Sequence, residues 1–333
     1  MSPRPRVIAH RGASGYRPEH TLEAYGLAIA QGADFIEPDV VATRDGVLVV
    51  RHENEISETT DVAAHRELAK RRTTKTIDGR EVSGWFTEDL TLEELRTLRA
   101  TERLLFRSHS RDGLYRVPTL QEVVDLARSE SGRLRRPIGV YPETKHPSYF
   151  ASIGLPLEPR LLELLEASGC GGADVPVFLQ SFETGNLRGL RGRTSLPLVQ
   201  LLGEPEEQPW DLAARGDPRS ARDLVTPAGL REIAAYADAV GCHKRLLVPA
   251  GADGRLLRPT TLVDDAHAAG LEVHVWTFRS EPVFLAPDYG GDPGRELEQF
   301  LALGVDGLFC DFPDVAIRVR DRMGGGAARK LGS

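Results

Sequence analysis

The chain has 333 residues, of which 41% are hydrophobic and 27% charged, and its formal net charge is −7. These values are ordinary for a soluble globular protein, and they fit either two domains or one large α/β barrel. An acidic chain without a dense Lys/Arg stripe excludes nucleic acid as an expected partner.

No membrane-spanning segment is predicted, because no run approaches the ~18 apolar residues that a bilayer-spanning helix needs. The three cysteines, Cys170, Cys242 and Cys310, have no metal-ligand spacing and cannot all pair within one chain. Val7 opens the first predicted strand with no secretory leader pattern before it. We therefore expect a cytoplasmic protein without stable membrane insertion; a secreted or periplasmic protein that has lost its signal sequence is the alternative.

The first fifty residues hold the densest pattern of ionisable residues and glycines. An apolar run begins at Val7 and stops at His10 and Arg11, which predicts a buried strand with two polar side chains at its end. A helix is predicted between an N-cap at Thr21 and the glycine at Gly32.

Two further strands are predicted directly after this helix. The strand that begins at Phe35 carries Glu37 and Asp39 two positions apart, so both carboxylates point to one face if the chain is extended. Two adjacent acids repel each other unless a cation lies between them. The next strand, residues 47–51, is a predicted hairpin extension and is followed by His52.

Residues 54–117 interrupt this pattern and predict a small inserted subdomain. The segment is polar and charged, with a capping box at Thr91, and no strand-like run returns before Ile138. A second capping box at Thr119 opens a helix that resumes the alternation of strands and helices.

Eight apolar strand candidates remain once the hairpin extension is set aside. They are Val7–Ala9, the strand at Phe35, Ile138–Tyr141, Val177–Ser181, Leu198–Leu202, Ala239–Cys242, Glu272–Thr277 and Gly307–Cys310. Eight such strands alternating with helices predict an α/β fold, a (β/α)8 TIM barrel over residues 6–320 with the insertion 54–117 over its mouth. The glycine-rich, basic stretch 324–333 is a predicted disordered tail.

Residues that follow several strands should converge, because the chemistry of such a barrel lies where its strands end. Glu143 follows the third barrel strand and joins Glu37 and Asp39 as a third carboxylate. Three oxygen donors without a thiolate suit a hard divalent cation, Ca²⁺ or Mg²⁺. The alternative is that these acids pair with basic residues at the surface.

His10 and His52 are the predicted proton-transfer groups, since histidine titrates near neutral pH and two at one site can serve as base and acid. Arg11 is a predicted phosphate ligand, with Lys145 as a second cation. A buried ion pair between Arg11 and Glu19 is the alternative, and Glu19 could also hold Arg11 in place while it binds phosphate.

Trp276 is a candidate wall of the pocket for the glycerol or alcohol group, with core packing as the alternative. Phe182 and Gln180 have the same two possibilities. Six further histidines are expected to be surface or structural residues: His20, His65, His109, His146, His243 and His267.

Several of these segments together resemble the glycerophosphodiester phosphodiesterase family. The resemblance rests on HRG at His10, PEHT at Pro18, the E-x-D of Glu37 and Asp39, the DG turn before the hairpin strand, and the histidine that follows that strand. It continues through SGWFTEDLTLEEL, YPETK, LQSF, VWTFR and GVDGLFCDFPD, and so runs nearly end to end. Many relatives have His-Asp where this chain has His52-Glu53.

The resemblance implies cation-dependent hydrolysis of small-molecule glycerophosphodiesters to sn-glycerol 3-phosphate and an alcohol such as choline. It also implies that the glycerol 2-hydroxyl of the substrate attacks first and that water then opens a cyclic phosphate. The nearest alternative is another phosphodiesterase on the same barrel, such as a lysophospholipid phospholipase D. A catalytically inactive phosphate-binding barrel is the alternative from a different class, whereas the absence of His-x-His on the first strand disfavours a zinc amidohydrolase.

Overall fold

The computed structural model describes residues 4–330, in which strands and helices alternate. The strands are β1 (Arg6–His10), β2 (Phe35–Glu37), β3 (Asp39–Ala42), β4 (Leu48–Val50), β5 (Thr73–Ile77), β6 (Arg80–Gly84), β7 (Gly139–Val140), β8 (Glu143–Thr144), β9 (Leu179–Ser181), β10 (Leu198–Leu202), β11 (Ala239–His243), β12 (Glu272–Phe278) and β13 (Gly307–Cys310). The α-helices are α1 (Leu22–Ala30), α2 (Leu92–Leu95), α3 (Leu120–Leu134), α4 (Pro147–Ser152), α5 (Leu157–Ala167), α6 (Thr184–Arg191), α7 (Trp210–Ala213), α8 (Ala221–Leu224), α9 (Pro227–Ala234), α10 (Lys244–Leu247), α11 (Leu262–Ala268), α12 (Pro293–Ala302) and α13 (Pro313–Lys330).

Each of the eight predicted barrel strands has a counterpart among these elements. Two of them differ in detail, because Pro38 separates β2 from β3 and Pro142 lies between β7 and β8. Proline has no main-chain N–H to donate, so a strand ladder breaks at such a position. Both interruptions fall beside acidic residues of the predicted cation site.

The described residues divide into two compact units: residues 4–10, 31–35 and 182–330 form the first, and residues 11–30 and 36–181 form the second. In the first unit β10, β11, β12, β13 and β1 are successive parallel neighbours. Every residue of β10 and β13 is buried, as is usual for parallel strands covered on both faces. Ala9 lies opposite Cys310, so the residues that follow them end neighbouring strands.

In the second unit, β3 pairs with β4 in antiparallel orientation, which confirms the predicted hairpin extension. On its other side β3 is parallel to β8, and β8 is parallel to β9. The register places Asp39 opposite Glu143 and Glu143 opposite Gln180. Three polar residues therefore form one row across adjacent strands.

The insertion 54–117 lies inside the second unit and contains the antiparallel hairpin β5–β6, which the sequence analysis missed. Its two-residue turn, Asp78-Gly79, has φ values of 47° and 74°. An Asp-Gly pair with positive φ at both positions is a strong hairpin signal. Six of the ten strand residues are exposed, and the strand sequences TTKTI and REVSG show no alternation of apolar and polar residues that could have marked them.

The predicted capping boxes at Thr91 and Thr119 are confirmed, and they start α2 and α3. α13 extends to Lys330, and the predicted disorder of residues 324–333 stays a prediction. Residues 331–333 lie outside the described part of the chain. Within residues 4–330, no helix combines the length and the apolar character needed to cross a bilayer.

Candidate active site

The three predicted cation ligands form one cluster in the second unit. Glu37 ends β2, Asp39 begins β3 and Glu143 begins β8. One carboxylate oxygen from each lies within 4.8 Å of the others. All three side chains are buried, with relative exposures of 1%, 1% and 7%, so they are not acids paired at an open surface.

Burial and mutual repulsion keep this cluster from carrying three full charges. Burial raises the pKa of Glu37 well above its usual range, and the charges of Asp39 and Glu143 raise it further. Burial likewise raises the pKa of Glu143 to about 8, against the opposing effect of Lys145. The pKa of Asp39 is lowered despite its burial, because Lys145 and the hydrogen bond with His20 favour its anion. Asp39 is therefore the charged member of the cluster at neutral pH.

The donor set of this cluster fits a hard divalent cation. Oδ1 of Asp39 is buried and has no hydrogen-bond partner among the residues that the structure describes. A buried acceptor in that state costs free energy unless a ligand satisfies it. A cation bound to the three carboxylates would satisfy this oxygen and would also favour ionisation of Glu37 and Glu143.

His20 fixes the other oxygen of Asp39. Its Nε2 lies 2.8 Å from Asp39 Oδ2, and its Nδ1 lies 2.7 Å from the hydroxyl of Tyr25. The His20 ring is fully buried, so it is one of the structural histidines. The position of His20 beside Glu19, in the P-E-H-T segment, is the sequence feature that could have linked it to the site. Gln180 adds a second link, since its Nε2 donates to Glu37 Oε1 at 3.0 Å.

Arg11 is buried, and it contacts acidic residues both inside and outside this cluster. Its main-chain N–H donates to Glu37 Oε2 at 2.9 Å, and its Nη1 lies 3.1 Å from Glu19 Oε2. Its Nε is 3.5 Å from Asp39 Oδ2. The Arg11–Glu19 ion pair considered from the sequence is thus present. Arg103 of the insertion contributes a second cation, with Nε 3.0 Å from Glu19 Oε2.

Lys145 and His52 lie beside the acidic cluster within the same unit. Nζ of Lys145 is 2.9 Å from Glu143 Oε1 and 3.5 Å from Nε2 of His52. Burial, together with the charges of Arg11 and Lys145, lowers the pKa of His52 to about 3. His52 is therefore a neutral imidazole at neutral pH, able to accept a proton.

His10 belongs to the first unit and ends β1. Its Nδ1 lies 2.7 Å from Asp311 Oδ1, and Nε of Arg279 donates to Asp311 Oδ2 at 3.0 Å. A carboxylate at Nδ1 orients an imidazole and selects its tautomer. No local pattern in the sequence marks Asp311 or Arg279, although both lie in segments that carry the family resemblance.

Trp276, the candidate pocket wall, is half-buried in the first unit. Its indole N–H donates to the carbonyl oxygen of Gly241 at 2.8 Å. Its ring packs edge-on against Phe182 and His243, with centroid distances of 5.8 and 5.1 Å. These contacts agree with the packing alternative, and a role in lining the substrate pocket stays a prediction.

The neighbouring His243 makes the fold sensitive to acid, and we expect His243→Asn to reduce that sensitivity. Burial, followed by Lys244 and Arg245, lowers the pKa of His243 to about 4. Because the unfolded chain takes up this proton more readily, the stability contributed by the neutral ring is present above pH ~6.5 and lost as the pH falls towards 4. Asparagine preserves the cap that His243 provides to Arg245 in α10.

Urea unfolding at pH 7.5 and pH 4.5 measures the expected difference. From pH 7.5 to pH 4.5, the decrease in the free energy of unfolding should be about 1–2 kcal/mol smaller for His243→Asn than for the wild type. His109→Asn, which changes an exposed histidine, is the matched control. An equal loss in His243→Asn and the wild type would contradict the prediction.

Comparison with protein families identifies a match across most of the chain. The model of the glycerophosphoryl diester phosphodiesterase family matches residues 10–315. A glycerophosphodiester phosphodiesterase of Arabidopsis thaliana is 35% identical over 322 residues, covering 93% of this chain and 84% of that protein. A glycerophosphodiester phosphodiesterase of Haemophilus influenzae is 29% identical over 343 residues, covering 93% and 88%.

Solved structures show that the fold is shared as well. A phosphodiesterase of Oleispira antarctica, solved in complex with the product sn-glycerol-3-phosphate, has a TM-score of 0.65 at 20% identity and covers 95% of this chain and 97% of its own. A glycerophosphodiester phosphodiesterase of Agrobacterium tumefaciens has a TM-score of 0.58 at 19% identity, covering 94% and 98%. The fold is thus the predicted α/β TIM barrel, and the chain belongs to the glycerophosphoryl diester phosphodiesterase family.

Proposed function

We propose that this phosphodiesterase hydrolyses glycerophosphodiesters with the help of a divalent cation, using His10 and His52 as proton-transfer groups. Family membership supports the reaction class. The observation that carries the cation requirement is the buried cluster of three carboxylates with an unsatisfied oxygen on Asp39. Glu37, Asp39 and Glu143 are the proposed ligands, and Ca²⁺ and Mg²⁺ are the proposed ions.

Charge neutralisation is the first requirement, because an anionic phosphodiester repels nucleophiles. A bound divalent cation would withdraw negative charge from the phosphate oxygens. Arg11 offers a planar guanidinium for those oxygens, and Lys145 offers a compact ammonium. Glu19 holds Arg11 through its ion pair and is the proposed positioning residue for it.

Proton transfer is the second requirement, and the two histidines divide it. The neutral imidazole of His52 takes the proton of the attacking hydroxyl, and His10, oriented by Asp311, protonates the oxygen of the departing alcohol. Arg11 and Lys145 are the cations that lower the pKa of His52. An anionic substrate beside them would offset this effect and make His52 a stronger base.

The proposed route has two steps and needs no protein nucleophile. In the first, the glycerol 2-hydroxyl oxygen bonds to phosphorus while the bond to the alcohol oxygen breaks, giving a cyclic phosphate. In the second, water opens the ring, and the histidines exchange their roles to give sn-glycerol 3-phosphate. The solved complex of the Oleispira antarctica phosphodiesterase with sn-glycerol-3-phosphate supports this compound as the product.

Removal of the cation tests the proposal directly. We expect the release of glycerol 3-phosphate from glycerophosphocholine to stop in chelator and to return when Ca²⁺ or Mg²⁺ is restored. An analogue that lacks the 2-hydroxyl should not turn over if the cyclic route is correct. Full activity in chelator would refute the cation requirement, and turnover of the analogue would refute the cyclic step.

A lysophospholipid is a second candidate substrate, favoured by one observation on the insertion. Leu105, Phe106 and Leu114 are 91%, 56% and 58% exposed, in a segment that also carries Arg103. Exposed apolar side chains of this kind can contact an acyl chain. Hydrolysis of lysophosphatidylcholine, compared with glycerophosphocholine at equal concentration, separates the two substrates.

A further inference from the structure

A row of alternating acidic and histidine side chains leads from the inserted hairpin to His52. Oδ2 of Asp78, in the β5–β6 turn, lies 2.6 Å from Nδ1 of His146. Nε2 of His146 lies 2.7 Å from Glu53 Oε2, and Glu53 Oε1 lies 2.9 Å from Nδ1 of His52. Each step has the length of a hydrogen bond, so the four side chains form one connected network.

We propose that Asp78 and His146 are positioning residues for His52, acting through the carboxylate of Glu53. The inference rests on the proposed function, because it takes His52 as a proton-transfer group. In this arrangement Asp78 of the insertion acts on the orientation of His52 through two intervening side chains.

The hydrogen-bond directions follow from the chemistry of the four groups. A carboxylate accepts, so His146 donates from Nδ1 to Asp78 and from Nε2 to Glu53, as an imidazolium. Against the effect of burial, these two hydrogen bonds raise the pKa of His146 to about 9. Glu53 then accepts the Nδ1–H of His52, which leaves Nε2 of His52 unprotonated and able to accept a proton.

The hydrogen-bond network matters because burial alone does not hold the Glu53 side chain in place. Its side chain is 46% exposed and has three rotatable bonds, so it would otherwise sample several rotamers. Asp78 and His146 each hold a left-handed backbone conformation, with φ of 47° at both positions. Such conformations are uncommon for residues other than glycine and persist where the surrounding contacts require them.

Because Asp78 and His146 both have a left-handed backbone conformation, suitable variants are those that keep it. Asparagine tolerates the left-handed conformation, so His146→Asn removes the ring without straining the chain. Asp78→Gly keeps a Gly-Gly hairpin turn and removes the acceptor, whereas Asp78→Asn keeps both the turn and a neutral acceptor. His109→Asn serves as the control, because His109 lies in the insertion and is also paired with an aspartate, with Nδ1 2.8 Å from Asp112 Oδ2.

The experiment measures kcat and KM on glycerophosphocholine for the cation-loaded, full-length enzyme, together with the ¹⁵N NMR signals of the His52 ring. His146→Asn and Asp78→Gly should lower kcat about 10-fold with KM within about twofold, as expected for the loss of residues that orient a catalytic group. Asp78→Asn should lie between these variants and the wild type. The ¹⁵N signals should change from a single Nδ1–H form to a mixture of tautomers.

A double-mutant cycle distinguishes a connected network from a general structural effect. In a Glu53→Ala background the carboxylate between His146 and His52 is absent, so adding His146→Asn should cause no further loss of kcat. Independent, multiplying losses would overturn the proposal. So would a wild-type kcat and unchanged His52 signals in both His146→Asn and Asp78→Gly. The NMR signals need no turnover, so an inactive wild type would refute the proposed function while the tautomer still tests this inference.

Discussion

His52→Ala is expected to lower kcat for glycerophosphocholine by about 10²–10⁴-fold, the usual contribution of a positioned acid or base. His52 is the neutral imidazole beside Lys145, with Nε2 3.5 Å from Nζ. Removing the ring leaves the attacking hydroxyl without a proton acceptor. The three carboxylates are untouched, so Ca²⁺ binding measured by calorimetry without substrate should change little.

Measuring turnover and cation binding separately makes this result informative. A variant that has lost both turnover and cation binding would indicate local misfolding and not the loss of a base. His109→Ala, at an exposed position on the insertion, should match the wild type in both measurements. A His52→Ala enzyme whose kcat stays within about tenfold of the wild type would remove His52 from the proton-transfer role.

Glu37→Gln is expected to weaken cation binding by at least 10–100-fold while leaving the cation-free fold intact. The pKa of Glu37 is raised well above its usual range by burial and by its acidic neighbours, which favours the neutral form of this side chain when no cation is bound. Glutamine has nearly the same shape and the same charge as that neutral form. Gln180, whose Oε1 has no hydrogen-bond partner among the described residues, can turn its amide to accept from the new side chain.

Thermal unfolding with and without Ca²⁺ or Mg²⁺ measures this effect alongside calorimetry. In the wild type, cation at 100 times its Kd should stabilise the fold by about 2.7 kcal/mol, and at the same cation concentration this gain should fall to about 1.4 kcal/mol or less in Glu37→Gln. Glu166→Gln, on the exposed face of α5, is the control for loss of a carboxylate. Equal stabilisation of Glu37→Gln and the wild type would exclude Glu37 as a ligand.

The strand ends were the most predictable part of this molecule. Short apolar runs mark buried parallel strands, and the polar residues that follow them are visible in the sequence. Glu37 and Asp39 could be grouped on that basis, and the family resemblance strengthened the addition of Glu143. The pattern could also predict the hairpin strand β4, because the turn before it contains Asp45 and Gly46.

The partners of the histidines could not be predicted in the same way. His10 is paired with Asp311, 301 residues later, and this pair depends on which strands are neighbours and in what register. No local pattern in the sequence linked His146 to the site. One of its carboxylate partners, Glu53, follows β4. The other, Asp78, lies in the turn of a hairpin whose strands show no alternation of apolar and polar residues. Local periodicity carries no information about contacts of this kind.

The pairing of β1 with β13 also has a consequence for biosynthesis. Within its unit, β1 is among the first segments to leave the ribosome, whereas Asp311 is made 301 residues after His10. Until that residue emerges, His10 lacks the carboxylate that orients it. With His10 as the proposed proton donor, a chain that ends before Asp311 would lack the oriented donor even where it contains all three carboxylates, so we expect turnover only once synthesis has passed β13.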